Sequence, residues 1–155
     1  MKPVLLSLAI ALLMVGCGEE ETEFESTKRL AEGGAKVAQG SLGLMYEYGR
    51  GVPEDDKEAV KWYRLAAEQG NAEAQGNLGL MYAQGQGVIK DYVTAYAWLS
   101  VAKENGHANA VEALDLAKKL MTKEQIAEGQ KLAREIFKRI EANRLVIPRP
   151  PAQTP

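Results

Sequence analysis

The sequence predicts an all-α protein built as a stack of paired helices, and three observations carry that expectation. Gln39-Gly-Ser-Leu-Gly-Leu-Met-Tyr46, followed by Gly49-Arg-Gly-Val52, recurs as Gln75-Gly-Asn-Leu-Gly-Leu-Met-Tyr82, followed by Gly85-Gln-Gly-Val88. The step from Gln39 to Gln75 is 36 residues, and it also relates Asp55/Asp91, Ala59/Ala95, Trp62/Trp98, Ala66/Ala102, Glu68/Glu104 and Gly70/Gly106. Self-similarity at a period of roughly 20–50 residues marks a stacked-repeat architecture. Within each copy the apolar residues keep helical spacing, and glycines close each apolar run.

The first helix of the repeat, helix A, places Ala38, Leu42, Met45 and Tyr46 at i, i+4, i+7 and i+8, on one face. Gly40 and Gly43 each cost roughly 1 kcal/mol relative to Ala in a helix. Their return as Gly76 and Gly79 implies a neighbouring helix that approaches too closely for a Cβ. Gly49 ends helix A and Gly51 completes the turn. Asp55 is placed to cap the second helix, helix B, and Glu58 completes a capping box. Asp91 keeps that cap, with Thr94 in place of the glutamate. Helix B carries Ala59, Trp62, Tyr63 and Ala66 at i, i+3, i+4 and i+7. That spacing assigns both tryptophans to the core rather than to a ligand-stacking platform.

The flanks complete the array. Ala31-Glu-Gly-Gly34 aligns with Ala67-Glu-Gln-Gly70 and reads as the last turn of a truncated helix B. Residues 109–121 read as a degenerate third helix A, with Ala110 and Leu114 in register. Thr122 with Gln125 then opens a long helix to about Asn143, whose stripe is Ile126, Ala133, Ile136, Phe137 and Ile140. Atypical terminal repeats cap solenoids, and this helix is expected to do so; a homodimer interface is the other use of such a stripe. Its opposite face holds Lys131, Arg134, Lys138 and Arg139.

Neither end reads as part of this body. Lys2 and the apolar run Pro3 to Val15 fit a secretory signal segment, too short to span a bilayer. Met14-Val15-Gly16-Cys17 resembles the lipobox of bacterial lipoproteins, which implies cleavage after residue 16 and lipidation of Cys17. A multiply acylated anchor is held by about 0.8 kcal/mol per buried CH₂. Gly18 rather than Asp after the cysteine implies, by Gram-negative sorting, the outer membrane facing the periplasm. Residues 17–27, with five glutamates from Glu19 to Glu25, read as an acidic flexible spacer. Residues 144–155, with Pro148, Pro150, Pro151 and Pro155, read as a proline-rich disordered tail, leaving residues 28–143 for the solenoid.

The repeat residues also carry a resemblance. Ala-Gln-x-x-Leu-Gly-x-Met-Tyr, Gly-x-Gly-Val, Asp and Ala-x-x-Trp-Tyr-x-x-Ala-Ala-Glu-Gln-Gly resemble the Sel1-like repeat family, over Ala35 to about Ala110. Leu99 and Lys103 depart from it, where Tyr and Ala are usual. The resemblance implies a right-handed α-solenoid of antiparallel helix pairs related to tetratricopeptide repeats, with helix A lining the concave face. It also implies a non-catalytic module that binds a partner protein or peptide there. The contact residues expected on that face are Ser41, Leu44, Tyr48, Asn77, Leu80 and Gln84.

Composition narrows the chemistry. A formal net charge of −2 lacks the basic surplus of nucleic-acid binding. One Cys and one His cannot build a zinc cluster or an internal disulfide, and no cofactor motif is present. Ser100-Val-Ala-Lys103 has the SxxK form of penicillin-interacting hydrolases, but it lies within helix B without a second motif. His107 has no evident nucleophile or base beside it. The reading is therefore a lipid-anchored envelope scaffold with no catalytic residues. The alternative is a peptidoglycan- or β-lactam-related hydrolase or cell-wall binding factor.

Overall fold

The computed structural model describes residues 21–146, which form an all-α solenoid of antiparallel helix pairs. The elements are α1 (Glu23–Glu32), α2 (Lys36–Tyr48), α3 (Asp56–Glu68), α4 (Ala72–Gln84), α5 (Tyr92–Glu104), α6 (Ala110–Lys119) and α7 (Lys123–Val146). Helices α2, α4 and α6 are successive helices A, and α1, α3 and α5 are helices B. Cys17, the signal segment and residues 147–155 lie outside the described residues. Among the described residues no helix is long and apolar enough to cross a membrane.

The acidic stretch does not stay extended. Helix α1 begins at Glu23, inside the segment expected to be a spacer. Thr22 caps it in a reciprocal capping box with Glu25, and acidic residues in a first turn favour the helix dipole. Phe24 supplies the apolar anchor, packing edge-on against Tyr46 with ring centroids 5.8 Å apart. Ala31 and the Gly33-Gly34 turn match the ends of α3 and α5, as the alignment of Gly34 with Gly70 and Gly106 requires. All three glycines have positive φ.

Asp55 and Asp91 cap α3 and α5 through their carboxylates. The box expected with Glu58 does not close. The Asp55 amide donates instead to the Tyr46 carbonyl, as the Asp91 amide does to that of Tyr82. With that donor satisfied, Glu58 pairs with Lys61, and Thr94 can replace it by bonding Asp91 through its hydroxyl.

The glycines of helix A serve two different contacts. A Cβ at Gly43 would lie 2.6 Å from the Tyr63 ring, and one at Gly79 would lie 2.8 Å from the Leu99 side chain. These positions bring A and B of one repeat together. Gly40 and Gly76 face the inter-repeat turn instead, against Asn71 at 3.2 Å and His107 at 2.9 Å. Trp62 and Trp98 are buried, at 7% and 4% exposure, so neither offers a stacking platform.

The array stops at α6 for a local reason. The positions of Gly43 and Tyr46 are occupied there by Asp115 and Lys118, which form an exposed ion pair where the next helix B would sit. Helix α7 therefore leaves α6 and lies back along α5, with its far end reaching α3. Ile136 and Ile140 enter the central core with Tyr63, Ala67, Trp98 and Val101. Arg139 forms a two-pronged pair with Glu68. The helix expected to cap the open end is thus a strap over both helices B; Ile126 near its start, and Met121 just before it, pack over the last turn of the array. It also runs to Val146, three residues past the expected Asn143. Ile136 and Ile140 of its stripe are buried within the chain, while Phe137 stays 38% exposed.

Candidate protein-binding groove

The helix-A layer carries a groove that the repeat builds twice. Between α2 and α4 a hollow of about 50 Å³ is bordered by Gly40, Leu44, Tyr63, Asn71 and Ala74. Between α4 and α6 a hollow of about 160 Å³ is bordered by Gly76, Leu80, Leu99, His107 and Ala110. Each residue of the second stands 36 positions after its counterpart in the first. Each hollow opens where Gly40 or Gly76 lacks a Cβ against Asn71 or His107, and Tyr63 or Leu99 also borders it.

Six contact residues were expected on this face. Ser41, Tyr48 and Gln84 are exposed, Tyr48 at 58%, and Leu80 is exposed at 38%. Leu44 and Asn77 are half-buried. Leu44 was expected off the core, yet it also packs against the central cluster, because α4 closes over it. Ser41 and Leu44 border the first hollow and Leu80 the second. Tyr48, Asn77 and Gln84 lie on the same helices and border neither.

The groove continues past the residues that sequence reasoning named. Leu116 borders the second hollow and is 56% exposed, and Leu120 is 63% exposed. At the other end, Val37 borders the first hollow and is 67% exposed. Carrying the 36-residue step into the degenerate third helix A would have found the row Leu44, Leu80, Leu116 and the row Tyr48, Gln84, Leu120. Glu73 and Glu112 add a carboxylate to each hollow.

One polar knot lies at the first inter-repeat junction. The Tyr63 hydroxyl donates to Glu47 at 2.5 Å, and Asn77 adjoins it. Burial first, and the Glu47 carboxylate second, push the Tyr63 phenol well above its ordinary value. Glu47 also holds the Tyr48 phenol up, chiefly through a hydrogen bond. His107 leaves its Nδ1 buried without a hydrogen-bond partner. It does not cap α6, whose first turn starts at Ala110 rather than one residue after the histidine.

A larger cleft of about 380 Å³ lies on the opposite layer, between α5 and α7. Ser100 borders it with Val101, Ala133 and Phe137, while Lys103 is exposed and does not. The serine and lysine of the SxxK motif thus do not share this cleft.

The Sel1 repeat model matches residues 36–71 and 72–107. Among solved structures, the chain is similar to c5321, a protective antigen present in uropathogenic Escherichia coli strains displaying an SLR fold. That match has a TM-score of 0.72 and 28% identity, and covers 95% of this chain and 33% of that one. It is also similar to a Sel1 repeat protein from Oxalobacter formigenes, with a TM-score of 0.57 and 42% identity over 58% of this chain and 26% of that one. The chain therefore spans about a third of the first and about a quarter of the second. No curated protein is significantly similar to it in sequence. Sel1 repeats are generally protein-interaction modules, and the two helix pairs spanning residues 36–107 are Sel1 repeats.

Proposed function

We propose that this chain is a non-catalytic scaffold of the bacterial cell envelope, anchored through lipidated Cys17, that holds a partner protein or peptide on its helix-A groove. The observation that carries the reading is the repetition of one hollow at the same register, bordered by exposed Val37 in the first copy and by exposed Leu80 and Leu116 in the second. Monomeric proteins leave such apolar rows uncovered chiefly where something binds. Solenoids present them on extended concave surfaces. The lipobox resemblance and Gly18 support an outer-membrane anchor facing the periplasm. In the resulting picture the acidic residues before α1 separate the anchor from the groove.

The test is crosslinking of the tagged full-length protein in cells, followed by mass spectrometry. A dominant protein adduct that disappears when Tyr48 and Leu80 are changed to Glu, with an unchanged melting temperature, supports the scaffold. Recovery of cell-wall fragments alone supports the alternative of a cell-wall factor. For the hydrolase form of that alternative, Ser100→Ala decides: turnover lost with the hydroxyl would overturn the scaffold reading.

A further inference from the structure

Resting on the groove reading above, we infer that its occupant is a basic amphipathic helix of a partner protein. The floor is a row of three leucines, Leu44, Leu80 and Leu116, one from each helix A. Exposure grows along it, from half-buried Leu44 to 38% at Leu80 and 56% at Leu116. Packed helices lie about 8–10 Å apart. Seven residues of an α-helix rise about 10.5 Å. A helix laid across the row therefore brings apolar side chains at i and i+7 to consecutive leucines, the helix-in-groove mode of recognition.

Charge selects the polar flank of that helix. Glu73 borders the first hollow and Glu112 the second, and neither belongs to an ion pair among the described residues. Glu47, beside the first, is engaged only by hydroxyl donors. Cations on the helix-A layer stand at its margins. Lys36 opens α2, Arg50 lies over the Tyr48 ring at 5.4 Å, and Lys118 and Lys119 close α6, with Lys118 held by Asp115. Lys131, Arg134 and Lys138, which join no ion pair among the described residues, sit on α7, which packs on the helix-B layer. A groove with leucines on its floor and free carboxylates beside them fits Lys or Arg flanking an apolar stripe. The same carboxylates repel an anionic membrane surface, and the hollows suit side chains better than a flat bilayer.

The test uses the full chain in nanodiscs of zwitterionic lipid, with empty nanodiscs as the blank. Two labelled synthetic helices of about 18 residues, or five turns, carry the same leucine stripe, one flanked by Lys and Arg, the other by Glu. Fluorescence anisotropy should show the basic peptide binding about tenfold more tightly, with the preference shrinking as salt rises. The double variant Glu73→Lys/Glu112→Lys should reverse the preference, and Leu80→Glu/Leu116→Glu should abolish binding of both. Equal binding of the two peptides, lost in the leucine variant, would overturn the basic-partner inference and leave the groove reading standing. Binding of neither peptide also overturns the inference; the groove reading then stands or falls on the in-cell adduct. Self-association without peptide, lost on Leu80→Glu, would give the groove to a second copy and overturn the inference as well.

Discussion

Gln75 reaches back across the repeat boundary to donate its Nε2 to the Ala67 carbonyl at 3.0 Å, while its Oε1 accepts from Asn105 at 2.9 Å. Gln39 does the same with Ala31 at 3.1 Å and Gln69 at 2.7 Å. One fully buried amide thereby joins the end of one helix B to the next helix A and to the end of the helix B after it. Gln75→Leu would leave the Ala67 carbonyl with the Gly70 amide alone and take from the half-buried Asn105 amide its Gln75 acceptor. Leaving such buried groups unsatisfied costs about 1–3 kcal/mol each. Urea denaturation should show a loss of about 1–2 kcal/mol, and a change below about 0.5 kcal/mol would contradict the linkage.

The two glycines of one helix should respond differently to alanine. At Gly43 the added methyl meets the ring of a fully buried tyrosine at 2.6 Å. Overpacking of about 1–3 kcal/mol then outweighs the gain of about 1 kcal/mol in helix propensity. At Gly40 the neighbour is the amide nitrogen of Asn71 at 3.2 Å, at the end of a side chain that caps α4 and needs to give by only a few tenths of an ångström. Gly43→Ala should lower the melting temperature, and Gly40→Ala should leave it unchanged or raise it.

Helix α7 is held by its isoleucines more than by its charges. Ile140→Ala should cost about 2–4 kcal/mol, because it opens a cavity in the central core. The Arg139–Glu68 pair is partly exposed, so Arg139→Ala should cost less than about 1 kcal/mol. Denaturant titrations of both variants check the order. The reverse order would mean that the strap is docked electrostatically.

Tyr63 links stability to alkaline pH. Its phenol is raised in the folded chain, whereas an unfolded tyrosine ionises at about pH 10. The unfolded state therefore loses its proton first, so this contribution is complete below about pH 10 and declines as pH rises beyond it. Tyr63→Phe should lose less stability between neutral and alkaline pH than the parent chain. A parallel decline in both would show that the Tyr63 hydroxyl is not involved.

What could be read from the sequence was what the repeat says twice. The caps at Asp55 and Asp91, the left-handed Gly49 and Gly85, the Thr122–Gln125 box and the buried tryptophans follow from local chemistry within a single repeat. Contacts made between distant segments were not legible. The course of α7 depends on Asp115 and Lys118 blocking the place of a third helix B. The start of α1 depends on Phe24 finding Tyr46, 22 positions away. The groove was half legible: its position on helix A was expected, but its extension to Leu116 and Leu120 was hidden where the repeat loses its glycines.

The most direct test of the groove compares two faces of the full-length protein in cells. A photo-crosslinking amino acid is placed at Asn77, on the groove layer, or at Leu65, exposed at 44% on α3. Binding in the groove predicts a discrete protein adduct from position 77 that is lost with Leu80→Glu, and none from position 65. An adduct from position 65 that survives Leu80→Glu, with none from position 77, would place recognition on the other face and contradict the proposed function.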